Sequence, residues 1–459
     1  MTCVGAARTW EELCHIARHA PAFSIFDCDL RSGSIKPCVE IASPAAANPR
    51  VTRRTPIKGI SRNTLLLGVV SFLHDVGSEM VAPLLPVFLR TVLHASMPVI
   101  GLIEGVAESV SSLLKPVSGW VSDRTGRRKP LILLGYWLAA CTRPLLAVVG
   151  SPWHVLGLRF ADRFGKGVRT APRDALIADS TDPGYRGKAF GLQRALDNMG
   201  AALGMLAATL ILVGFTTNLR VVFWLAGATG LAAPCLVVFG VKERRDAAEP
   251  QPAAAGAVPE GTTAQAPVNP SLIKWYAVVF VFWLGNSADA FLILKARLLG
   301  VPIWQIPLLM CVMNVVRALC ATHAGALSDR LGRKEVILFG WLFYALVYVG
   351  FAFADSQHAM YVLFAAYGLY YAITEGAERA LVTDMSPQKG RATALGLYHF
   401  TAGVAALPAS VICGLLWQWQ RLGIYGPRVA LGFGAACALL ASVLFVVLVP
   451  GRRRPAPIS

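Results

Sequence analysis

The residues best suited to chemistry form a charged stripe in the fourth long apolar segment. Five charged residues follow one another at steps of 3, 4, 3 and 4 positions: Arg159, Asp162, Lys166, Arg169 and Arg173. On an α-helix this spacing places all five on one face. A charge at the centre of a bilayer costs about 2.5–3.5 kcal/mol on insertion scales, so in a membrane helix the stripe must face the interior or a watery cavity.

The cations of this stripe would suit an anionic group of a substrate. Arg163 lies beside the stripe, whereas Arg173 and Asp174 lie near one end of the segment and are expected to have structural partners such as Arg186 or Asp179. We therefore predict a substrate cavity formed by Arg159, Asp162, Arg163, Lys166 and Arg169.

Acidic residues in other apolar segments could carry protons. Two pairs are each spaced by one helical turn, and a single aspartate lies in the seventh segment. A carboxylate inside a membrane protein, near cations, can exchange a proton as access alternates. Fixed ion pairs that lock helices together are the alternative. The predicted proton-coupling residues are Asp75, Glu79, Glu104, Glu108 and Asp289.

The sequence predicts no enzyme, no cofactor and no metal site. His74, His154, His323 and His399 are scattered, with no nucleophile motif beside them. The segment 165–167 (Gly-Lys-Gly) lacks the spacing of a phosphate-binding loop. Cysteines and histidines near the N-terminus fit no zinc pattern. The sequence shows no nucleotide-binding domain, so the energy for active transport would come from an ion gradient rather than from ATP.

Composition indicates a membrane protein. Of the 459 residues, 55% are hydrophobic and 15% are charged, whereas soluble domains have about 25% charged residues. Long apolar runs without a polar face argue against a large soluble helical protein. Roughly a dozen runs reach the approximately twenty residues that span a bilayer. They are 63–92, 97–121, 130–150, 152–178, 188–214, 220–240, 272–298, 303–327, 334–354, 357–383, 391–418 and 427–450.

The net charge of +17 is arranged as a topology signal rather than as a nucleic-acid surface. Basic clusters occur in alternate gaps between the spans, and the gaps at 150–152 and 354–358 contain no Lys or Arg. This is the positive-inside pattern. It predicts cytoplasmic termini, a location in the cell inner (plasma) membrane and no nucleic-acid partner.

Segments between the spans define the domains. Residues 1–60 are predicted to be a disordered cytoplasmic extension, and 241–270 has the composition of a flexible cytoplasmic linker. Two six-helix bundles, 61–240 and 271–450, are followed by a cytoplasmic tail, 451–459.

An internal repeat relates the two bundles. The stretch 119–128 recurs at 325–334, at an offset of 206, and two further matches, 175–179 with 380–384 and 186–192 with 391–397, have an offset of 205. Near-constant offsets predict two bundles in the same orientation, the parallel repeat of a rocking transporter.

The repeated loop resembles the signature motif of the major facilitator superfamily. Its pattern is Gly, three residues, Asp, a basic residue, one residue, Gly and two basic residues, and both copies fit. The resemblance implies a twelve-helix, all-α membrane fold with two bundles related by a pseudo-two-fold axis. It also implies that the Asp acts across the bundle interface to hold one conformation, while the first Gly allows close helix approach and the second a tight turn. The implied conformational gate comprises Gly119, Asp123, Arg124, Gly126, Arg127, Arg128, Gly325, Asp329, Arg330, Gly332, Arg333 and Lys334.

The fifth span adds a second resemblance. Gly191, Gly200 and Gly204 have the spacing of a motif in the family's proton-coupled exporters, although Met205 stands where that motif has Pro. Ordinary packing of small residues is the alternative.

These observations favour a secondary transporter with alternating access, similar to drug/proton antiporters. The leading hypothesis is proton-coupled export of a small organic molecule with an anionic group, by a monomer in the lipid bilayer. Uptake or exchange of an organic anion is the first alternative. A non-transporting membrane sensor on the same scaffold is the second.

Overall fold

The computed structural model describes residues 26–28, 35–37, 60–181, 185–241, 270–386, 391–419 and 426–449. The chain divides into two compact units, Met1–Pro56 and Ile57–Ser459. In the first unit, strand β1 (Phe26–Cys28) pairs antiparallel with strand β2 (Ile35–Pro37). Most of the predicted extension, nearly all of the predicted linker and the whole predicted tail fall outside the described residues.

The second unit is helical, and several helices begin where the sequence supplies a cap. The side chains of Ser61, Ser151 and Ser356 accept hydrogen bonds from backbone N–H groups in the first turn of their helices. The first half contains α1 (Arg62–Val81), α2 (Leu85–Thr91), α3 (Met97–Thr125), α4 (Lys129–Leu146), α5 (Pro152–Asp179), α6 (Arg186–Gly214) and α7 (Leu219–Gly240). The second half contains α8 (Pro270–Gly285), α9 (Ala290–Leu298), α10 (Ile306–Leu331), α11 (Arg333–Phe353), α12 (Gln357–Met385), α13 (Arg391–Trp417) and α14 (Gly426–Leu448).

The first and seventh predicted spans are each interrupted. Between α1 and α2 the chain turns at 82–84, where Pro83 lacks the N–H that a continuous helix would use. Between α8 and α9 the helix is broken at 286–289. Irregular backbone at membrane depth is tolerated where it lines a cavity, so the two breaks indicate where a cavity should lie.

Nine helical stretches among the described residues are long and apolar enough to cross a membrane. The third, fourth and tenth predicted spans are not among them, although α4, α5 and α12 form continuous helices there. Of these three, α5 holds the charged stripe, and those charges lower its hydropathy. The membrane fold is therefore confirmed, and the count of twelve stays a prediction for these three.

Different helix pairs form the contacts within each half and the contacts between the halves. In the first half α1 packs on α6 and α7, and α5 packs on α3 and α4; in the second half α12 packs on α10 and α11. Helix α3 contacts α13, and α6 contacts α10, across the halves. The second half has an aromatic core in which the Trp341 ring stacks on Trp275 and Phe282 at 5.7 and 4.6 Å.

A repeated contact relates the ends of the two halves. Lys129 Nζ donates to the carbonyl oxygens of Val238 and Val241, at 3.0 and 2.6 Å, at the end of α7. At the equivalent place, Lys334 Nζ donates to the carbonyl oxygens of Val446 and Val449 at the end of α14. A cation at a helix C-terminus pairs with exposed carbonyls and with the negative end of the helix dipole. Lys334 therefore has a capping contact beside its predicted place in the gate.

Candidate substrate cavity and gate

The halves approach each other most closely where α3 meets α13. Ser109 Oγ donates to the carbonyl oxygen of Gly403 at 2.6 Å. A Cβ on Gly101 would lie 2.1 Å from the carbonyl oxygen of Ser410, and one on Gly414 would lie 2.5 Å from that of Met97. Only glycine permits such backbone contact. These contacts involve the first half of α3, on the side of the 91–97 loop and opposite the repeated motif.

A cavity of about 330 Å³ lies between the halves, at the two helix breaks. The first half contributes three carboxylates and two guanidinium groups, and the second half contributes one carboxylate beside polar and aromatic side chains. The lining residues that bear on its chemistry are Glu79, Glu104, Glu108, Arg159, Arg163, Trp283, Asn286, Ser287, Asp289, Tyr371 and Ser410.

Ion pairing on the first-half wall is only partial. Arg159 Nη2 contacts Glu104 Oε2 at 2.6 Å, and both side chains are nearly buried. Arg163 Nε lies 3.8 Å from Asp162 Oδ2. The buried Nε atoms of Arg159 and Arg163 have no hydrogen-bond partner among the described residues. The wall therefore keeps donor capacity for a further acceptor.

Three other carboxylates of the cavity are not in ion pairs. Within the described part of the chain, Glu79, Glu108 and Asp289 form no salt bridge within 4 Å. Asp289 Oδ1 accepts a hydrogen bond from the Tyr367 hydroxyl at 3.0 Å. Four of the five predicted proton-coupling residues thus line one cavity.

Two of the predicted site residues lie outside the cavity lining. Asp75 does not line the cavity. Arg169 turns away from it: Nη2 lies 2.6 Å from His74 Nε2, and the guanidinium lies 4.7 Å from the centre of the Tyr136 ring. The charged residues of the stripe share one face of α5, as their spacing predicts. That face extends past the cavity into the packed interior of the first half.

Two further predicted residues lie beside the cavity rather than in its lining. Asp162 contacts Arg163, as described above. Lys166 is exposed, although it lies near the middle of α5. Exposure at that depth is explained by an open lumen between the halves.

The motif-side loops hold matching ion pairs. Arg128 lies 2.9 Å from Asp179 and 3.9 Å from Asp123, and Arg333 lies 3.7 Å from Asp384. The turn glycines Gly126 and Gly332 have φ of +61° and +114°, as a tight turn requires. The predicted tight turns are therefore present in both copies.

Other gate residues are less engaged in this conformation. The Asp123 side chain is 73% exposed, and its ion-pair contact lies within its own half. Arg124 stacks over Trp120, while Arg127 and Arg330 are exposed. The Asp329 side chain is outside the described residues. A Cβ on Gly119 would meet Ala171 at 3.5 Å, an ordinary contact, and one on Gly325 would meet no described atom within 4 Å, so the role of these glycines in close helix approach stays a prediction.

Comparison with known proteins decides the family. The sequence profile of the Major Facilitator Superfamily matches residues 67–410 and 297–459. The chain belongs to the Major Facilitator Superfamily. It is 33% identical to the "Uncharacterized MFS-type transporter MJ1317" of Methanocaldococcus jannaschii over 398 residues, which cover 85% of this chain and 95% of the relative.

More distant members of the superfamily carry transport names. A "Multi-drug resistance efflux pump PmrA homolog" of Lactococcus lactis is 23% identical, covering 73% of this chain and 84% of the relative. A "Probable 4-methylmuconolactone transporter" of Cupriavidus pinatubonensis is 24% identical, covering 76% and 82%. The nucleoside transporter NupG superposes with a TM-score of 0.68 at 15% identity, covering 84% of this chain and 98% of that chain. This structural likeness shows the shared fold.

Glycines in the fifth predicted span allow two helices of this protein to pack closely. A Cβ on Gly200 would lie 2.5 Å from the carbonyl oxygen of Phe72, and one on Gly204 would lie 2.3 Å from that of Val76. Both contacts join α6 to α1 within the first half, whereas a Cβ on Gly191 would meet no described atom within 4 Å. This geometry favours the helix-packing alternative.

The sequence analysis did not predict two buried clusters of polar and charged side chains. In the first, Arg143 and Arg169 both contact His74, with Arg143 Nη2 at 2.8 Å from His74 Nε2. An arginine within the apolar run of α4 was the available signal. In the second, Glu378 accepts hydrogen bonds from Trp341 Nε1 and from the Tyr398 hydroxyl, at 2.8 and 2.5 Å. No spacing in the sequence pairs these three residues.

The expected partners of Arg173 were also different. Arg173 contacts Asp174 at 2.9 Å and lies 4.0 Å from Asp197 on α6. Asp179 instead contacts Arg128, so it joins the motif loop. The Arg186 side chain is outside the described residues.

Proposed function

We propose that the protein is a proton-coupled secondary transporter that exports a small organic molecule by alternating access. The observation that carries this proposal is the cavity between the halves, where four carboxylates and two guanidinium groups meet at the helix breaks. Such groups are costly in a membrane interior, so their presence there indicates a function such as transport.

An opening on the motif side supports alternating access. The close contacts of Gly101, Ser109 and Gly414 hold the halves together on the other side. Glu108 and Lys166 are exposed although both lie in the middle of long helices. A lumen that reaches them from the motif side accounts for both facts. With the positive-inside pattern, this side is the cytoplasm.

The pair formed by Glu104 and Arg159 is our candidate for coupling. When Glu104 takes up a proton, the guanidinium loses its partner and becomes available to an anionic group of the substrate. When the proton leaves, the pair forms again and displaces the substrate. Glu104 therefore replaces Asp75 as the first candidate, because Asp75 lies outside the cavity lining.

The test uses the reconstituted chain in vesicles that contain a trapped pH indicator, without ATP. Small organic molecules are added outside, and substrate-dependent proton movement is recorded. For any molecule that responds, Glu104→Gln should abolish proton-driven flux yet retain counterflow. Asp355→Asn is the matched control, since that carboxylate is 78% exposed and pairs with Arg428 at 3.5 Å.

Two results would count against this proposal. Full proton-driven flux in Glu104→Gln would place coupling elsewhere, with Glu79 and Asp289 next. Substrate flux that is indifferent to the proton gradient in the unmodified protein would exclude coupling altogether.

Uptake or exchange of an organic anion is the second candidate. The unpartnered Nε atoms of Arg159 and Arg163 favour it, as does the name of the Cupriavidus relative. In the same vesicles, substrate accumulation that is driven by protons entering the vesicle would indicate uptake with protons. Substrate accumulation that is driven by protons leaving the vesicle would indicate proton-coupled export. A sensor would move neither substrate nor protons.

A further inference from the structure

The two walls of the cavity differ in the charges that they present. Both guanidinium groups of the lining, Arg159 and Arg163, come from the first half. Among the lining residues, the second half supplies no cation, and its one carboxylate is Asp289. A ligand between the walls therefore finds guanidinium donors on the first-half wall, beside its carboxylates, and the carboxylate of Asp289 on the second-half wall.

Asp289 has the surroundings of a site for an ammonium group. It lies at the break before α9, and the one described hydrogen bond of its carboxylate comes from Tyr367. The neighbouring cation Arg317 is bound by Glu375 and lies over the Tyr371 ring. A carboxylate in a cavity of low dielectric gains most from a cation that the ligand brings. Trp283, in the same lining, adds an aromatic surface that attracts an ammonium group.

The opposite wall has the surroundings of a site for an anionic group. Arg163 carries a buried Nε without a described partner, and the carboxylate oxygen Oδ2 of Asp162 lies 3.8 Å from that nitrogen. Arg159, on the same wall, also has a buried Nε without a described partner. Buried donors without partners are unfavourable, and a guanidinium group fits a carboxylate by its planar fork.

Charge and size together restrict the ligand. Because the lining has four carboxylates and two guanidinium groups, a plain organic anion would be opposed by Asp289, Glu79 and Glu108. A plain cation would leave the donors of Arg163 unused. The volume of about 330 Å³ is at the lower end for ligand pockets.

We infer that the transported molecule is a small zwitterion, with its ammonium group at Asp289 and its anionic group at Arg163. This inference rests on the proposed transport function, because it assigns the substrate class of the same cavity.

Binding is tested without any gradient, by the thermal unfolding shift of the full chain in nanodiscs. Three matched probe sets are used: leucine with isocaproate and isoamylamine, phenylalanine with hydrocinnamate and phenethylamine, and γ-aminobutyrate with butyrate and butylamine. Within each set, the second compound lacks the ammonium group and the third lacks the carboxylate. At least one zwitterion should bind at least about tenfold more tightly than both of its analogues, the effect expected from losing one charged hydrogen bond.

Variants then assign the two ends of the ligand. Asp289→Asn should weaken binding of the zwitterion about tenfold without weakening binding of its anionic analogue, and Arg163→Gln should weaken binding of the zwitterion without weakening binding of its cationic analogue. Arg163→Lys, which keeps the positive charge but loses the planar fork, is the second variant for the anionic end. Asp355→Asn and Arg428→Gln, an exposed pair outside the cavity lining, are the matched controls and should bind as the unmodified protein does.

The inference is overturned if, in every set, the anion or the cation binds as tightly as its zwitterion. It is also overturned if no zwitterion of the three sets binds, or if Asp289→Asn keeps full affinity. Because no gradient is present, failure of proton coupling would leave a positive binding result intact. Conversely, an incorrect substrate class would leave proton-driven flux to other molecules intact.

Discussion

Replacing Gly101 with alanine should shift the protein away from the conformation described above. The new Cβ would lie 2.1 Å from the carbonyl oxygen of Ser410 and 2.9 Å from its carbon. Since ordinary contact begins near 3.4 Å, α3 and α13 must separate by about 1 Å on this side, with strain typical of overpacking.

The size of the effect follows from two terms. Overpacking in a close contact costs about 1–3 kcal/mol. Loss of the hydrogen bond from Ser109 to Gly403 adds about 1 kcal/mol. The sum, roughly 2–4 kcal/mol, changes the ratio of the two access states by about 30-fold or more. A glycine-to-alanine change inside a helix would otherwise stabilise it by up to about 1 kcal/mol.

Hydrogen–deuterium exchange of the protein in nanodiscs measures this shift. In Gly101→Ala, amides near the 91–97 loop should exchange faster, and amides at the motif end of α3 should exchange more slowly. Gly157→Ala is the matched control, because a Cβ there would meet no described atom within 4 Å. If both variants show the same exchange pattern and the same transport rate, the contact between α3 and α13 does not hold the conformation.

Three other changes test the gate, the helix caps and the topology. Asp123→Asn and Arg128→Gln should each slow transport without loss of membrane insertion, because Arg128 connects Asp123 to Asp179; unchanged rates in both would contradict the gate assignment. Lys334→Met should lower the thermal stability modestly, by about 1 kcal/mol or less, because two carbonyl groups at the end of α14 lose their donor, and a melt identical to that of the unmodified protein would contradict this. A cysteine at Ala254 should be labelled only from the cytoplasm, and labelling from outside would refute the predicted orientation.

The sequence was sufficient for the membrane fold because apolar length and an internal repeat are one-dimensional signals. It also identified Glu79, Glu104, Glu108, Asp289, Arg159 and Arg163 as cavity candidates, since charges in apolar spans are rare. Periodicity could not separate Arg163 from Arg169, because both lie in one charged segment and the difference depends on the depth at which α4 and α1 cover that face. Which carboxylate pairs with Arg159 depends on the crossing of α3 and α5, and no spacing within either helix determines that crossing.

The repeat shows which positions the two halves keep and which they change. The ion pairs at the motif loops are the same in both halves. Arg128 with Asp179 and Arg333 with Asp384 are equivalent pairs at an offset of 205. At the same offset, the buried Arg143 and Arg169 correspond to Tyr348 and Thr374.

At these two buried positions the second half is therefore neutral where the first half is charged. Rigid aromatic packing needs no counter-ions, so this half can serve as a passive wall with Asp289 as its one charged lining residue. The charged first half has pairs that can be broken and formed again, such as Arg159 with Glu104. Energy coupling should consequently be sensitive to substitutions in α3 and α5, and the motif loops of both halves should matter equally for the rate of conformational exchange.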